Sequence, residues 1–522
     1  MGQPWDQRLG VWWIAEDHPD APAIVASPCG LTLSYAELVA AAHQRANALR
    51  AHGIKAGDVV AYALPNGADA VIWQLATTEI ALRYLTLNPA LSADEFASIL
   101  EHSGATVLVA HVDYLDRLGD LRNDAALRVL VGDPQRAAAG FIPESEFLRG
   151  HPTTAPVDRR QGDSIRYSSG TTGKPKGIVR PLDDRDPSEA AHAMAVFGRA
   201  FDFRPFDGVH LVSTGMHHGG CQSFYLGALN VGQPLAILDR FDAEQTLAAI
   251  EQHKISTAYM VPTQFVRMLK LPNAVREKYD LSSLHSVVHS AAPCPLQVKA
   301  DMFTWWGPVI WETYGGTEGA ATIAKPHRWL RKPGTVGRPI RGMNVKILDD
   351  EGNQLAANEI GNVYIERLDG QRFEYRNDAE LTASVHRGGA FTIGDVGYLD
   401  DDGYLFICDR AKDMIISGGV NIYPAEVEGI LSSHPAVADV AVIGVPNAEW
   451  GEEVKAVVQL VDDEQPSEAL ADDMISYCRD RLARFKCPRT VDFRSALPRT
   501  EAGKLIKRQI RDTYWAHAGR LV

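Results

Sequence analysis

Eleven consecutive residues concentrate the groups that hold phosphate oxygens: Tyr167-Ser168-Ser169-Gly170-Thr171-Thr172-Gly173-Lys174-Pro175-Lys176-Gly177. Three glycines free the backbone to aim its N–H groups at an anion. Four Ser/Thr hydroxyls add donors and two lysines add charge. This is the composition of a polyphosphate-holding loop, although taken alone it also fits a surface turn. It is not a Walker A loop, because Lys174 is followed by Pro175 and not by Ser or Thr. Other reactive residues are ambiguous in isolation. Lys504 could be a solvated tail lysine, with Lys507 and Arg508 close behind it. Glu318 could cap a helix, Tyr314 could be core, and Asp395 could be part of an ordinary Gly-Asp turn.

The elements that must carry these residues alternate between helix and strand, which predicts α/β layers. Leu38, Ala41, Ala42, Ala46 and Leu49 fall near helical spacing and predict a helix over Tyr35 to His52. Val59 to Leu64 reads as a buried strand. Ala68 to Leu82 reads as a helix, with Ile72, Leu75, Ala76 and Ile80 on one face. A helix from Ser92 to His102 leads into the apolar run Ala105 to Ala110, and the alternation recurs from Val209 to Val261. From Gly337 the texture changes to short strands, Val345 to Leu348, Val363 to Glu366 and Gly397 to Cys408, separated by Asp- and Gly-rich turns. Beyond Asp409-Arg410 the α/β texture returns, with helices from Pro424 and Ala469 and strands Val437 to Val445 and Val454 to Leu460.

The expected architecture is therefore a large N-terminal domain, residues 1–409, of layered α/β subdomains with a short β-rich portion. A small α+β domain, residues 410–522, follows, with the boundary near 409–412. The rest of the composition narrows the function. Lys plus Arg number 52 against 66 for Asp plus Glu, a net charge of −14, which disfavours nucleic acid as the main partner. The six cysteines, at 29, 221, 294, 408, 478 and 487, form no CxxC and are too sparse for a disulfide scaffold, so a reduced, cytoplasmic protein is expected. Met1 to His18 lacks the pattern of a signal peptide. No stretch has the roughly 18 uncharged apolar residues of a membrane span.

The phosphate-type loop resembles the signature of the adenylate-forming enzymes, which include acyl-CoA synthetases, luciferases and peptide-synthetase adenylation domains. Four further motifs follow in that superfamily's order. Trp311-Glu312-Thr313-Tyr314-Gly315-Gly316-Thr317-Glu318 resembles its second motif, and Thr392-Ile393-Gly394-Asp395 its ribose motif. Asp409-Arg410-Ala411-Lys412-Asp413-Met414-Ile415 with Ser417-Gly418-Gly419 resembles its hinge motif, and Pro498 to Lys504 its C-terminal lysine motif. The resemblance implies two steps. A carboxylate attacks the α-phosphate of ATP to give an acyl-adenylate and pyrophosphate, and a thiol then displaces AMP.

It also implies roles, each of which suits the chemistry. Two anions must meet, so cations and donors have to strengthen at the transition state. Lys504 would bridge the carboxylate and the α-phosphate. Ser168, Ser169, Gly170, Thr171, Thr172, Gly173, Lys174 and Lys176 would hold the phosphates, and the Thr317 hydroxyl would reach the α-phosphate. Glu318 would hold Mg²⁺, which ordinarily takes one or two carboxylates plus phosphate oxygens. Tyr314 would stack on adenine beside Gly315, and Ala291, Ala292 and Pro293 would form the adenine-side wall. Asp395 would accept from the ribose hydroxyls. Arg410 and Lys412 would lie at the hinge, with Arg410 on ribose or phosphate.

Ser417 to Pro424 resembles the CoA-ligase version of its segment, with Gly418 and Gly419 along the pantetheine path. Arg484 to Arg489 could meet the 3′-phosphate of CoA. His218 matches the family's acyl-site histidine. His217 replaces the usual tyrosine, and Cys221 stands where proline is common. Gly219, Gly220, Cys221, Gly315, Gly316 and Ala320 are small residues expected to leave room for a bulky or long hydrophobic acid, although such glycines can equally serve close packing. Trp305-Trp306-Gly307-Pro308 and His289 to Pro295 resemble a bacterial fatty-acyl and steroid-type subgroup. The expected activity is that of an AMP-forming acyl-CoA ligase using ATP, Mg²⁺ and CoA on a small-molecule acid. The rivals are an enzyme of one half-reaction and a non-catalytic nucleotide-binding protein. The identity of the acid and the oligomeric state are left open.

Overall fold

A computed structural model describes residues 8–118, 125–133, 135–136, 138–168, 176–447, 449–499 and 505–516. The chain forms two compact units. The first comprises Met1–His289, Trp306–Trp311 and Arg372–Thr382; the second comprises Ser290–Trp305, Glu312–Gln371 and Ala383–Val522.

The first unit is built on parallel strands linked by helices. One sheet runs, in spatial order, Ile142–Pro143, Leu127–Val131, Val107–His111, Val59–Ala63, Arg83–Thr86 and Asp163–Ser164, parallel throughout. All five residues of Val59–Ala63 are buried, as expected for a strand covered on both faces. A second run places Ser286–His289, Ile255–Met260, Val209–Val212, Leu235–Ile237 and Pro22–Ala26 side by side and parallel. The helices begin where the side chains provide caps. Ser34 and Glu37 close a capping box at Tyr35–Ala51, and Ser92 and Glu95 close another at Ala93–Ser103.

One predicted helix is shorter than its periodicity implies. The run expected to reach Leu82 ends at Thr78. The hydroxyls of Thr77 and Thr78 both bond back to carbonyls of the preceding turn, and Ala81 adopts φ 58°. The chain turns there and enters the strand Arg83–Thr86, so Ile80 does not share the helix's buried face.

In the second unit, residues 312–316 of the strand Ile310–Gly316 pair antiparallel with Gly319–Ala324. A five-stranded antiparallel sheet follows, centred on Gly361–Arg367 and Ala390–Leu399, with Leu405–Arg410 paired to the latter. A last sheet holds Val420–Ile422, Ile415–Ser417, Gly451–Leu460 and Val437–Asn447, with Thr490–Phe493 added in parallel. Strand alternation buries both of its faces. Val440 and Val442 pack with Val427, Leu431 and Met474, while Ala441, Ile443 and Val445 pack with Leu497 and Ile510.

Candidate active site

The stem of the phosphate-type loop is an antiparallel pair, Arg166–Ser168 against Lys176–Val179, with Glu374–Tyr375 on the outer edge. The loop residues Ser169, Gly170, Thr171, Thr172, Gly173 and Lys174 lie outside the described residues, as does the side chain of Ser168. The stem itself is tightly held. Nδ1 of His102 lies 2.8 Å from the Tyr167 hydroxyl, and the Arg376 backbone N–H donates to the Gly177 carbonyl at 2.7 Å. A Cβ at Gly177 would come within 3.0 Å of the Tyr167 ring, so glycine is needed for that packing. Lys176 lies with its ammonium 5.9 Å from the centre of the Tyr375 ring.

Also in the first unit, His218 precedes the helix Gly219–Asn230, and its ring centre is 4.0 Å from that of His217. Hydrogen bonds fix the approach to this helix. Asn66 accepts from the Met216 N–H at 2.7 Å, Gln222 donates to the Met216 carbonyl at 2.9 Å, and Thr86 donates to the His217 carbonyl at 2.8 Å. The small residues here pack closely. A Cβ on Gly219 would be 3.2 Å from the Arg166 side chain, and one on Gly220 would overlap the hydroxyl end of Tyr259. Cys221 is buried, its thiol turned to the Thr214 carbonyl, and burial pushes that thiol's pKa above its usual value. Tyr259 was not singled out by the sequence. It sits in a strand whose six residues are all buried, and nothing local distinguishes it.

The second unit brings together three of the expected nucleotide residues. The Tyr314 hydroxyl donates to Oδ2 of Asp395 at 2.7 Å, and Nε of Arg410 lies 3.4 Å from Oδ1 of the same carboxylate. Asp395 and Arg410 are register partners on adjacent strands, so backbone pairing sets their approach. Burial, and then the Asp395 charge, hold the Tyr314 hydroxyl well above its usual pKa; it is a neutral donor. Gly394, at φ 84° inside the strand Ala390–Leu399, precedes Asp395 where the pairing with Gly361–Arg367 shifts register.

The Thr317 hydroxyl donates to Oε2 of Glu318 at 3.3 Å. A Cβ on Gly316 would overlap that same oxygen, and one on Gly315 would lie 2.6 Å from the Ala320 Cα. Gly315 is required for the close approach of the two strand backbones, whereas the neighbour of Gly316 is the Glu318 carboxylate. Ala291, in the expected adenine wall with Ala292 and Pro293, has φ 74°. That conformation is costly for a residue with a Cβ and tends to persist where function needs it.

These motifs belong to a chain whose two parts each match a family model. The model described as AMP-binding enzyme covers residues 11–368, and the one described as AMP-binding enzyme C-terminal domain covers residues 426–504. The chain belongs to the AMP-binding enzyme family. It is 32% identical to a feruloyl-CoA synthase of an Amycolatopsis species, over 97% of this chain and 99% of that one. It is 31% identical to the long-chain-fatty-acid–CoA ligase FadD13 of Mycobacterium tuberculosis, over 95% of this chain and 96% of the relative. The structure of the anthranilate CoA ligase AuaEII in complex with anthranoyl-AMP matches with a TM-score of 0.86 at 26% identity, covering 99% of this chain and 100% of that one. The expected mixed α/β fold and the acyl-CoA ligase resemblance both hold.

The segments expected to carry the hinge and to line the CoA path lie toward the C-terminal end of the chain. Asp409 caps the helix Pro424–Leu431 by accepting from the Ala425 N–H at 2.7 Å, which ties the segment bearing Arg410 and Lys412 to that helix. Gly418 and Gly419, at φ 57° and 80°, form the two-residue turn between Ile415–Ser417 and Val420–Ile422. A Cβ on Gly418 would be 2.5 Å from the Trp450 indole, so no other residue fits there. Lys486, in the basic run, is engaged by Glu426 at 2.7 Å. Lys504 lies outside the described residues. Lys507, three residues on, is not a solvated tail lysine: it is largely buried and pairs with Glu428 at 2.9 Å.

Proposed function

We propose that this chain is an acyl-CoA ligase for a bulky or long hydrophobic carboxylic acid. A carboxylate oxygen of the acid attacks the α-phosphorus of ATP and pyrophosphate leaves. The CoA sulfur, having given up its proton, then attacks the acyl carbon and AMP leaves. The observation that carries the reading is the cluster of Tyr314, Asp395 and Arg410: an aromatic face, a carboxylate for vicinal hydroxyls and a guanidinium converge within hydrogen-bonding reach. Lys504 supplies the positive charge between the two reacting anions. Ser168 to Lys174 and Lys176 hold the phosphates. His218 with Gly219, Gly220 and Cys221 borders the acyl group, and Gly418 and Gly419 border the pantetheine arm.

Glu318 fits a Mg²⁺ role. Its carboxylate is held against Gly316, whose missing side chain leaves it space, and Mg²⁺ ordinarily takes one or two carboxylates plus phosphate oxygens. When bound, the ion would neutralise phosphate charge. Residues 1–409 act as the adenylating body, and residues 410–522 turn about 409–412 between the two steps. A reducing compartment such as the cytoplasm suits the six unpaired cysteines. Among the described residues no helix is long and apolar enough to cross a membrane.

The test is a panel of carboxylic acids in pyrophosphate exchange, combined with CoA consumption from synthetic acyl-adenylates. Signal in both with aromatic or long-chain acids is expected. Exchange without CoA consumption would reassign the protein to adenylation alone, and neither signal would leave a nucleotide-binding protein.

A further inference from the structure

On the helix Leu296–Trp306, the positions Lys299, Met302, Phe303 and Trp306 recur at i, i+3, i+4 and i+7, and all four are buried. Three are apolar, as a core-facing stripe requires. The fourth is a lysine whose side chain is only 1% exposed. Its ammonium pairs with the Glu312 carboxylate and lies 4.7 Å from the centre of the Trp329 ring, which itself stacks on Phe303. A buried ammonium is expensive, and an apolar pair of similar volume is usually as stable or more so. Stability is therefore a poor explanation for this pair, and its partner's position offers a better one.

Glu312 stands opposite Ala324 in the hairpin, with Thr313 opposite Ile323 and Tyr314 opposite Thr322. Strand alternation turns Glu312 and Tyr314 to one face and Thr313 to the other, where its hydroxyl bonds the Thr322 carbonyl. Immediately after Tyr314 the register shifts by a bulge, so that Gly315 faces Ala320. The two glycines beyond the bulge carry no side chain that could hold the pleat in phase, so it rests on the backbone ladder and on the side chains of Glu312, Thr313 and Tyr314. A slip of one residue would turn Tyr314 away from Asp395. The Lys299–Glu312 bond is directional and cannot follow such a slip.

We propose that Lys299 and Glu312 are a positioning pair. They lock the phase of the strand that carries Tyr314, and through it the nucleotide site. The inference rests on the reading of Tyr314 and Asp395 as nucleotide residues.

The experiment measures AMP affinity by calorimetry alongside the nucleotide-free thermal midpoint, in the full chain. The variants are Lys299→Arg, Lys299→Met and the double substitution Lys299→Met with Glu312→Leu. Lys299→Met takes the cation away from a buried carboxylate and should lower the midpoint. The double variant removes both charges and should regain the midpoint yet still bind AMP about tenfold more weakly, the scale of losing one charge-assisted bond. Lys299→Arg should stay within twofold of the native affinity. Native affinity in the double variant would overturn the proposal, because an apolar pair would then position the strand equally well. An unchanged affinity in Lys299→Met would overturn it too. Failure of the unaltered protein to bind AMP would instead overturn the nucleotide-site reading, and the positioning role with it.

Discussion

The Tyr314 hydroxyl and the Asp395 carboxylate, 81 positions apart, are joined by a 2.7 Å hydrogen bond in which tyrosine is the donor. The carboxylate that would take the ribose hydroxyls is therefore already oriented by the ring that would stack on the base. Asp395→Ala should weaken ATP and AMP alike, since both carry the same ribose. Tyr314→Phe keeps the ring but loses one hydrogen bond, and should cost about threefold to tenfold in AMP affinity. Calorimetric titration distinguishes them. Near-normal AMP binding by Asp395→Ala would remove that residue from the ribose site.

Lys504 answers to a different readout. If its ammonium offsets charge as carboxylate meets phosphate, Lys504→Ala should slow adenylate formation by about 10²–10³-fold, as for loss of one transition-state donor. Thioester formation from a supplied adenylate should change far less. Equal loss in both half-reactions would contradict the assignment.

Elements with strong local signals were legible in the sequence. The helices expected over Tyr35 to His52 and Ser92 to His102 are present as Tyr35–Ala51 and Ala93–Ser103, each behind a capping serine. What was lost depended on neighbours distant in the chain. Lys299 went unnoticed because its partner and its cover, Glu312 and Trp329, arrive from other elements. Lys507 is similar, since only folding brings Glu428 to it. Gly220 was expected either to leave room for substrate or to serve close packing, and Gly418 to lie along the pantetheine path; Tyr259 comes close to the first and Trp450 to the second. A missing side chain says that something comes close, and the sequence does not say what. The Tyr314–Asp395 contact was implied only through two separate motifs, which lie on strands of different sheets and meet through a side-chain hydrogen bond.

The Gly220–Tyr259 contact makes a small substitution informative. In Gly220→Ala the new methyl would come within 2.9 Å of the Tyr259 ring carbon that bears the hydroxyl, so the ring must shift. Should this segment wall the acyl group, the relative rates across an acid panel should change by about tenfold or more, as expected for one methylene in an apolar pocket. AMP affinity should hold. A lowered thermal midpoint with an unchanged acid profile would show packing alone and exclude the segment from the acyl site.

His210 should set part of the pH dependence of stability. It is 1% exposed, with Nδ1 2.9 Å from the Thr257 hydroxyl. The Gln233 side-chain amide N–H groups go to the Arg204 and Asp207 carbonyls, so its oxygen is the group that accepts from Thr257 at 2.9 Å. Thr257 spends its proton there and must accept from His210, which fixes the neutral tautomer with hydrogen on Nδ1. Burial lowers the imidazole pKa from 6.5 to about 3. The unfolded chain therefore binds a proton between those values that the folded chain refuses. The stabilising effect is complete above pH 6.5 and is lost as the pH falls toward 3, by about 1.4 kcal/mol per unit where the difference is full. His210→Asn keeps a donor near the Nδ1 position and does not titrate. Denaturant unfolding of the two proteins between about pH 6.5 and 4.5 should show the native protein losing stability more steeply by that amount. Parallel curves would mean that the folded protein admits the proton, and that His210 is not held neutral.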